Sequence, residues 1–297
     1  MRELIGREVR VLPGTLSHIQ VFGLTLAALL AFAANSVLAR LALTTTEIDP
    51  TLYTLVRLTA GALLLSVLLA WRGRLSGSPS NGWIGATTLV LYAFAFSFAY
   101  LYLDAATGAL VLFAWAQITM MTAGLLRGER LNLLQGFGFM IAVGGVGLLL
   151  IPNASMPPWQ GFLLMSISGI AWGLYSLRGH DMQLAISTTS GDFLRAVPIA
   201  AVLSLFALPF WSPDPIGLIY AAVSGAIASG VGYAIWYRAL PELRTTHASS
   251  AQLAIPLIVA VLGMLILSEP LTLRFSIAMT AILVGIGLVI RLRSQRG

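Results

Sequence analysis

Along most of this chain the apolar residues show neither the two-residue alternation of a half-buried strand nor the helical stripe of a surface helix. They run on for about twenty positions at a time, the length a helix needs to cross a hydrocarbon core of roughly 30 Å. Ten such runs stand at approximately 18–41, 51–71, 83–104, 108–126, 132–151, 159–177, 188–210, 216–237, 247–267 and 273–290. Short segments rich in turn formers separate several of them: RGRLSGSPSNG, IPNASMPP, FWSPDP and SEPLT. Barrel strands would alternate in polarity over about ten residues, so the continuous runs predict helices, which satisfy their own backbone hydrogen bonds in lipid. The expected fold is an all-α integral membrane protein with ten transmembrane helices.

Composition strengthens that reading. Hydrophobic residues make up 58% of the 297 positions and charged residues only 9%, against roughly 25% charged in a soluble domain. Lipid must therefore be a principal solvent and the bilayer the principal partner. With no cysteine there is no disulfide framework, thiolate metal site or cysteine nucleophile. No basic cluster carries interleaved aromatics, so a nucleic-acid partner is not expected.

Charge sets the orientation. All 17 basic side chains are arginines, and with a cytoplasmic N-terminus the segments on that side hold thirteen of them. The positive-inside rule thus places both termini in the cytoplasm, in agreement with an even number of spans. Residues 1–16 read as a cytoplasmic tail, because they lack a long apolar run and the first span is too long for a signal peptide. Residues 292–297 form the other tail.

A repeat underlies the ten runs. At a spacing of 138, Gly23, Arg40 and Arg57 fall on Gly161, Arg178 and Arg195; at 140, Glu129, Gly145 and Gly147 fall on Glu269, Gly285 and Gly287. The halves are residues 17–152 and 153–291, with five spans each. An odd number makes the second half enter the membrane from the opposite side, so the repeats are inverted, the architecture of alternating-access transporters. An acidic residue closes the fourth span of each half (LLRGERL, LILSEPL) and the fifth is glycine-rich (IAVGGVGLLLI, AILVGIGLVI). In these features the chain resembles the EamA family of the drug/metabolite transporter superfamily over about residues 20–291, and within it the YddG-type bacterial amino-acid exporters. The resemblance implies a bacterial inner-membrane location and moving walls built from spans 3–4 and 8–9. One departure is Pro256 where the first half has Ala116.

The intramembrane polar and aromatic residues are the candidates for a pathway, since an amide or hydroxyl in hydrocarbon needs a partner or a wet cavity. Asn35, Gln117, Ser250 and Gln252 are such groups, with interhelical hydrogen bonding as the plainer reading. Trp115, Trp172, Tyr175, Tyr92 and Tyr233 lie deeper than the interfacial belt that Trp71, Trp83, Trp159, Trp211 and Tyr220 fit, though helix packing would also explain them. Such rings could stack on an apolar side chain and attract an ammonium. Pro256 frees the carbonyl of Gln252 and could act as a hinge or a static kink. Arg57 and Arg195 could bind a carboxylate or snorkel to headgroups, with Asp192 as a helical partner for Arg195.

Enzyme chemistry is not expected, nor any cofactor or metal, because there is no His-Glu-x-x-His and no paired intramembrane carboxylate. The acidic residues are assigned to span ends and loops. Glu129 would pair with Arg127 or Arg130 in a cytoplasmic turn, and Glu269 with Arg274 on the opposite face. Without a carboxylate in a span interior, facilitated transport or exchange is expected over proton antiport. The expectation is an exporter of amino acids, aromatic and other neutral ones, or similar small metabolites. Other cargo of the same superfamily (drugs, nucleotide sugars, organic phosphates) is the alternative, followed by a membrane-embedded enzyme or a channel. A monomer is compatible with everything in the sequence.

Overall fold

The structure, a computed structural model, describes residues 16–71, 82–128, 132–149, 151, 158–177, 185–243, 248 and 251–293. The first half contributes α1 (His18–Thr45), α2 (Pro50–Trp71), α3 (Trp83–Ala99), α4 (Ala105–Leu126) and α5 (Leu133–Leu149). The second contributes α6 (Trp159–Ser176), α7 (Ala185–Leu205), the composite α8 (Pro215–Glu242), α9 (Ala254–Leu267) and α10 (Leu273–Arg293). Within α8 an α-helical stretch, Pro215–Val223, passes into π-helix at Ser224–Val231 and back to α-helix at Gly232–Ala239. No strand occurs among the described residues.

The turns start and stop the helices by recognisable means. Ser17 and Gln20 form a reciprocal capping box at α1, and Asn132 and Gln135 do the same at α5. Asp49 accepts from the Thr51 and Leu52 amides at the start of α2, while its other oxygen accepts from the Ser212 amide, tying two turns together. Pro215 opens α8 behind the Asp214 cap. These caps satisfy backbone donors that a helix leaves open in its first turn.

Five described helices are long and apolar enough to cross a bilayer: α1, α2, α4, α8 and α10. The apolar helices α3, α5 and α9 have 17, 17 and 14 described residues. Side chains such as Phe22, Leu133 and Phe206 stand bare on the outside of the bundle. So continuous an apolar exterior is far larger than the patch of a few hundred Å² tolerated in water, and it matches lipid. Trp71 at the end of α2 is 85% exposed, as an interfacial belt residue should be, and Trp83 and Trp159 are likewise exposed at helix starts. Trp211 departs from that expectation and packs against the core.

Packing follows the repeat. Exchanging each helix with its counterpart five places along turns α3–α6 contact into α8–α1, α4–α6 into α9–α1, and α3–α7 into α8–α2, and all of these contacts exist. The pairs α2–α7, α4–α9 and α5–α10 map onto themselves. At the α5–α10 seam Gly138 and Gly285 face each other so closely that a Cβ on Gly285 would collide with the Gly138 carbonyl oxygen. Gly147 and Gly287, by contrast, meet nothing within 4 Å.

The charged turns differ from expectation. Glu269 does not pair with Arg274; its Oε1 accepts from Arg40 Nε at 3.1 Å and its Oε2 from the Ala105 amide at 2.8 Å. The same guanidinium donates to the Tyr100 carbonyl at 2.8 Å and lies 3.5 Å from Asp104. Arg274 instead donates to the carbonyls of Leu148 and Ile151, closing the end of α5. The reason is geometric: an open helix end presents carbonyls that a nearby arginine satisfies, while Glu269 fills the amide end of α4. Burial pushes the Glu269 carboxyl above the ordinary range; the Ala105 amide lowers it, Asp104 raises it further and Arg40 lowers it. One cluster thus joins α1, the α3–α4 turn and the α9–α10 turn. Glu129, Arg130 and Arg178 lie outside the described residues.

Two outcomes follow for stability in detergent, read by thermal unfolding. Gly285→Ala should destabilise by about 1–3 kcal/mol through overpacking, whereas Gly287→Ala, with open space around it, should be neutral or slightly stabilising. Glu269→Ala should cost about 1–3 kcal/mol by orphaning the Ala105 amide and the Arg40 guanidinium, and Glu269→Gln, which keeps an acceptor, should cost less.

Candidate transport pathway

Arg57 is the anchor of the interior. It is the eighth residue of α2 and only 3% exposed. Its Nη2 donates to the Tyr92 hydroxyl at 3.0 Å, and its Cζ lies 4.7 Å from the centre of the Phe96 ring and 5.4 Å from that of Tyr92. Cation–π attraction of this kind strengthens when desolvated. Nη1 is buried with no hydrogen-bond partner among the described residues. Gly225 of α8 lets the backbones of α2 and α8 touch at this level, since any Cβ there would collide with the Arg57 carbonyl.

From this cation a column of rings runs through the bundle. Phe96 meets Tyr100 edge-on at 4.7 Å and Tyr92 at 5.5 Å; Tyr92 meets Trp172 at 5.1 Å. Trp172 stacks on Tyr175 at 5.7 Å and reaches Tyr233 at 6.2 Å, and Tyr233 stacks on Tyr237 at 5.9 Å. Phe32 of α1 and Phe193 of α7 close on Tyr233 from the sides. Separations of this size are favourable for aromatic pairs. The column draws on both halves.

Of the residues singled out in the sequence, Arg57, Tyr92, Trp172, Tyr175 and Tyr233 come together here. Asn35 is buried and its Oδ1 accepts from Ser224 at 2.8 Å and Ser229 at 3.3 Å, binding α1 to the π-helical stretch of α8. Trp115 packs on Gly169 at the α4–α6 contact, with its ring nitrogen lacking a partner among the described residues. Gln117 is buried in α4. Gln252 is half-buried just before a turn at Leu253, and Ser250 lies outside the described residues. Pro256 is the third residue of α9, in the first turn, where its missing N–H removes no bond within that helix. A turn at Leu253, whose φ of −66° and ψ of −17° stay right-handed, separates α9 from Gln252, the residue whose carbonyl the proline leaves free.

Arg195 does not match its repeat mate. It is half-exposed and turns back to the Gly191 carbonyl at 3.1 Å, instead of pairing with Asp192. Asp192 itself corrects a second expectation. It is not at a span end: α7 begins at Ala185, making Asp192 its eighth residue, and it is 3% exposed. Its carboxylate lies against Gly85 of α3, and the hydroxyls of Tyr175 and Tyr237 interact with it electrostatically.

Phe96 and Tyr237 were overlooked, and Asp192 was taken only as a helical partner for Arg195. The first two stand four positions beyond Tyr92 and Tyr233, the spacing that shares a helix face, and could have been found that way. Asp192 was hidden by placing the start of its span a few residues late. Two hollows lie elsewhere: one of about 60 Å³ beside Glu269, and an apolar groove lined by Ile141, Ile277 and Val284. The first is far below the roughly 300 Å³ of a small-molecule site.

The EamA-like transporter family model matches the chain twice, over residues 21–151 and 159–291. An uncharacterized protein of Pseudomonas aeruginosa is 49% identical over 273 residues, covering 92% of this chain and 95% of that one. An uncharacterized transporter of Archaeoglobus fulgidus is 28% identical over 188 residues, 59% of this chain and 64% of its own. Another from the same organism is 24% identical over 240 residues, 75% of this chain and 81% of its own. A solved crystal structure superposes with a TM-score of 0.67 at 19% identity, covering 95% of this chain and all of the other. Two tandem matches on an all-helical bundle leave one conclusion: this chain belongs to the EamA-like transporter family and is a multi-pass membrane transporter.

Proposed function

We propose that the protein exports amino acids, aromatic and other neutral ones first, from a bacterial cytoplasm across the inner membrane by alternating access. The observation that carries this reading is the buried Arg57, whose Nη1 has no hydrogen-bond partner among the described residues, with an aromatic column at its side. A guanidinium with an open donor is matched by a carboxylate, which it can bind with charge-assisted hydrogen bonds. The rings beside it suit an apolar or aromatic side chain. The single buried cation among the described residues fits one carboxylate better than the multiple charges of an organic phosphate.

Alternating access then needs one end closed while the other is open. With the termini cytoplasmic by the positive-inside rule, the Arg40–Glu269–Ala105 cluster lies at the outer end, where it ties α1 to the α3–α4 and α9–α10 turns. Breaking it would let the outer ends of α4 and α9 part. The rings of the column touch one another, so cargo must displace them and be released when they close again. Such a site holds cargo through few fixed charges, which keeps binding weak enough for turnover.

Purified protein in proteoliposomes should accelerate counterflow of labelled neutral amino acids above protein-free vesicles; no exchange for any amino acid would end the substrate reading. Arg57→Ala should weaken the half-saturation concentration by about tenfold to a hundredfold, the loss of one charge-assisted hydrogen bond of about 1.5–3 kcal/mol. Arg57→Lys should recover part of it. An unchanged concentration dependence in Arg57→Ala would remove the residue from the pathway.

A further inference from the structure

Tyr100 is the point where the outer cluster and the ring column meet. It follows the last residue of α3 and is fully buried. Its carbonyl accepts from Arg40 Nη1 at 2.8 Å, its hydroxyl donates to the Ala105 carbonyl at 3.3 Å, and its ring stands edge-on to Phe96 at 4.7 Å. Arg40 and Ala105 are the residues that donate to the Glu269 carboxylate, so Tyr100 holds both of these partners. Phe96 in turn lies under the Arg57 guanidinium, whose Cζ is 4.7 Å from the centre of its ring. A continuous run of contacts therefore leads from Arg57 through Phe96 and Tyr100 to Arg40, Ala105 and Glu269.

Tyr100 has little room to move alone. Gly108 of α4 makes the space for its ring: a Cβ there would collide with that ring and crowd Met165 of α6. The Tyr100 amide also bonds back to the Phe96 carbonyl at 3.2 Å, so backbone and rings bind these two residues together. Interiors packed this closely pass a displacement on to the next side chain instead of absorbing it. A cargo group reaching Arg57 needs space that the Phe96 ring occupies, and a shift of Phe96 presses on Tyr100.

We propose that Tyr100 is the positioning residue that couples occupancy of the pathway to release of the outer closure. With the pathway empty, Phe96 supports the Tyr100 ring, and Tyr100 keeps Arg40 and Ala105 in register with Glu269. Cargo at Arg57 displaces the Phe96 ring, Tyr100 follows, and the two donors leave the carboxylate. The outer ends of α4 and α9 then part with cargo already bound, and close again when it has gone. Linkage makes the converse hold: a protein whose outer cluster is already weakened binds cargo more tightly. The inference rests on the amino-acid reading for the identity of the cargo, but the link from Phe96 to Glu269 can be observed without cargo.

The chain contains no cysteine, so Thr107→Cys, beside Glu269 in the outer hollow, is a single reporter of the closure. In detergent, a water-soluble thiol reagent should label it about fivefold faster or more in saturating L-phenylalanine. Phe96→Leu should speed labelling without cargo, and in Tyr100→Leu the rate should respond to neither change. A double-mutant cycle separates energetic coupling from mere contiguity. Glu269→Gln should lower the half-saturating phenylalanine concentration, read by thermal stabilisation, about fivefold or more, and should leave it unchanged once Tyr100→Leu is present. Independent, multiplicative effects of these two substitutions overturn the coupling, as does labelling unmoved by Phe96→Leu, whether or not any amino acid binds. If Tyr100→Leu does not fold, Tyr100→Phe decides: losing the hydroxyl on Ala105 should by itself speed labelling, and an unchanged rate overturns the proposal. If no amino acid binds while Phe96→Leu speeds labelling, the substrate reading falls and the link to the outer closure stands.

Discussion

A guanidinium buried among membrane helices is the constraint around which this interior is arranged. Arg57 cannot be hydrated where it sits, and no carboxylate bonds to it among the described residues; its charge is supported by the faces of Phe96 and Tyr92 and the Tyr92 hydroxyl. Those two rings must therefore lie on one face of α3, and the backbone of α8 must come close enough for Gly225 to touch the Arg57 carbonyl. Support by ring faces is weaker than a buried ion pair would be. That weakness leaves the cation available to an anionic group, which a permanent salt bridge would not.

Fold symmetry and site asymmetry coexist. The most extensive helix contacts map onto one another when the halves are exchanged, as two interchangeable conformations would require. The matched arginines do not follow that rule: Arg57 is interior, whereas Arg195 lies back on its own helix. In the second half the interior charge belongs to Asp192, three positions before Arg195. A repeat can keep its backbone symmetry while its two halves present opposite charges, because packing is governed by small residues at the seams and not by the groups facing the column.

Much of this was legible in the sequence because lipid imposes one strong rule. Continuous apolar length gave the spans, arginine distribution their expected orientation, and the paired Arg40–Arg178 and Glu129–Glu269 positions the repeat. Four of the five deep aromatics came together, while Trp115 serves the α4–α6 contact. Less accessible were contacts made across the bundle. Glu269 was assigned to Arg274, its neighbour in sequence, although Arg40 reaches it from 229 positions away. Asp192 was judged by its distance from an uncertain span boundary, and a shift of three residues moved it from edge to interior.

The π-helical stretch of α8 illustrates the remaining gap. Ser224 and Ser229 both donate to the single Asn35 oxygen although five positions separate them. On an α-helix residues so spaced lie about 140° apart around the axis, too far to share one acceptor comfortably. The wider π turn, with hydrogen bonds reaching five residues, brings them to one side. The stretch SGAIASGVG (224–232) makes a close glycine contact at Gly225, and its serines also pin α1 at the level where α8 meets Arg57. Hydropathy registers small residues and not the pitch of the turn they permit. The same segment thus supports the cation through Gly225 and fixes the neighbouring helix through Asn35, linking the local backbone form to the arrangement of the column.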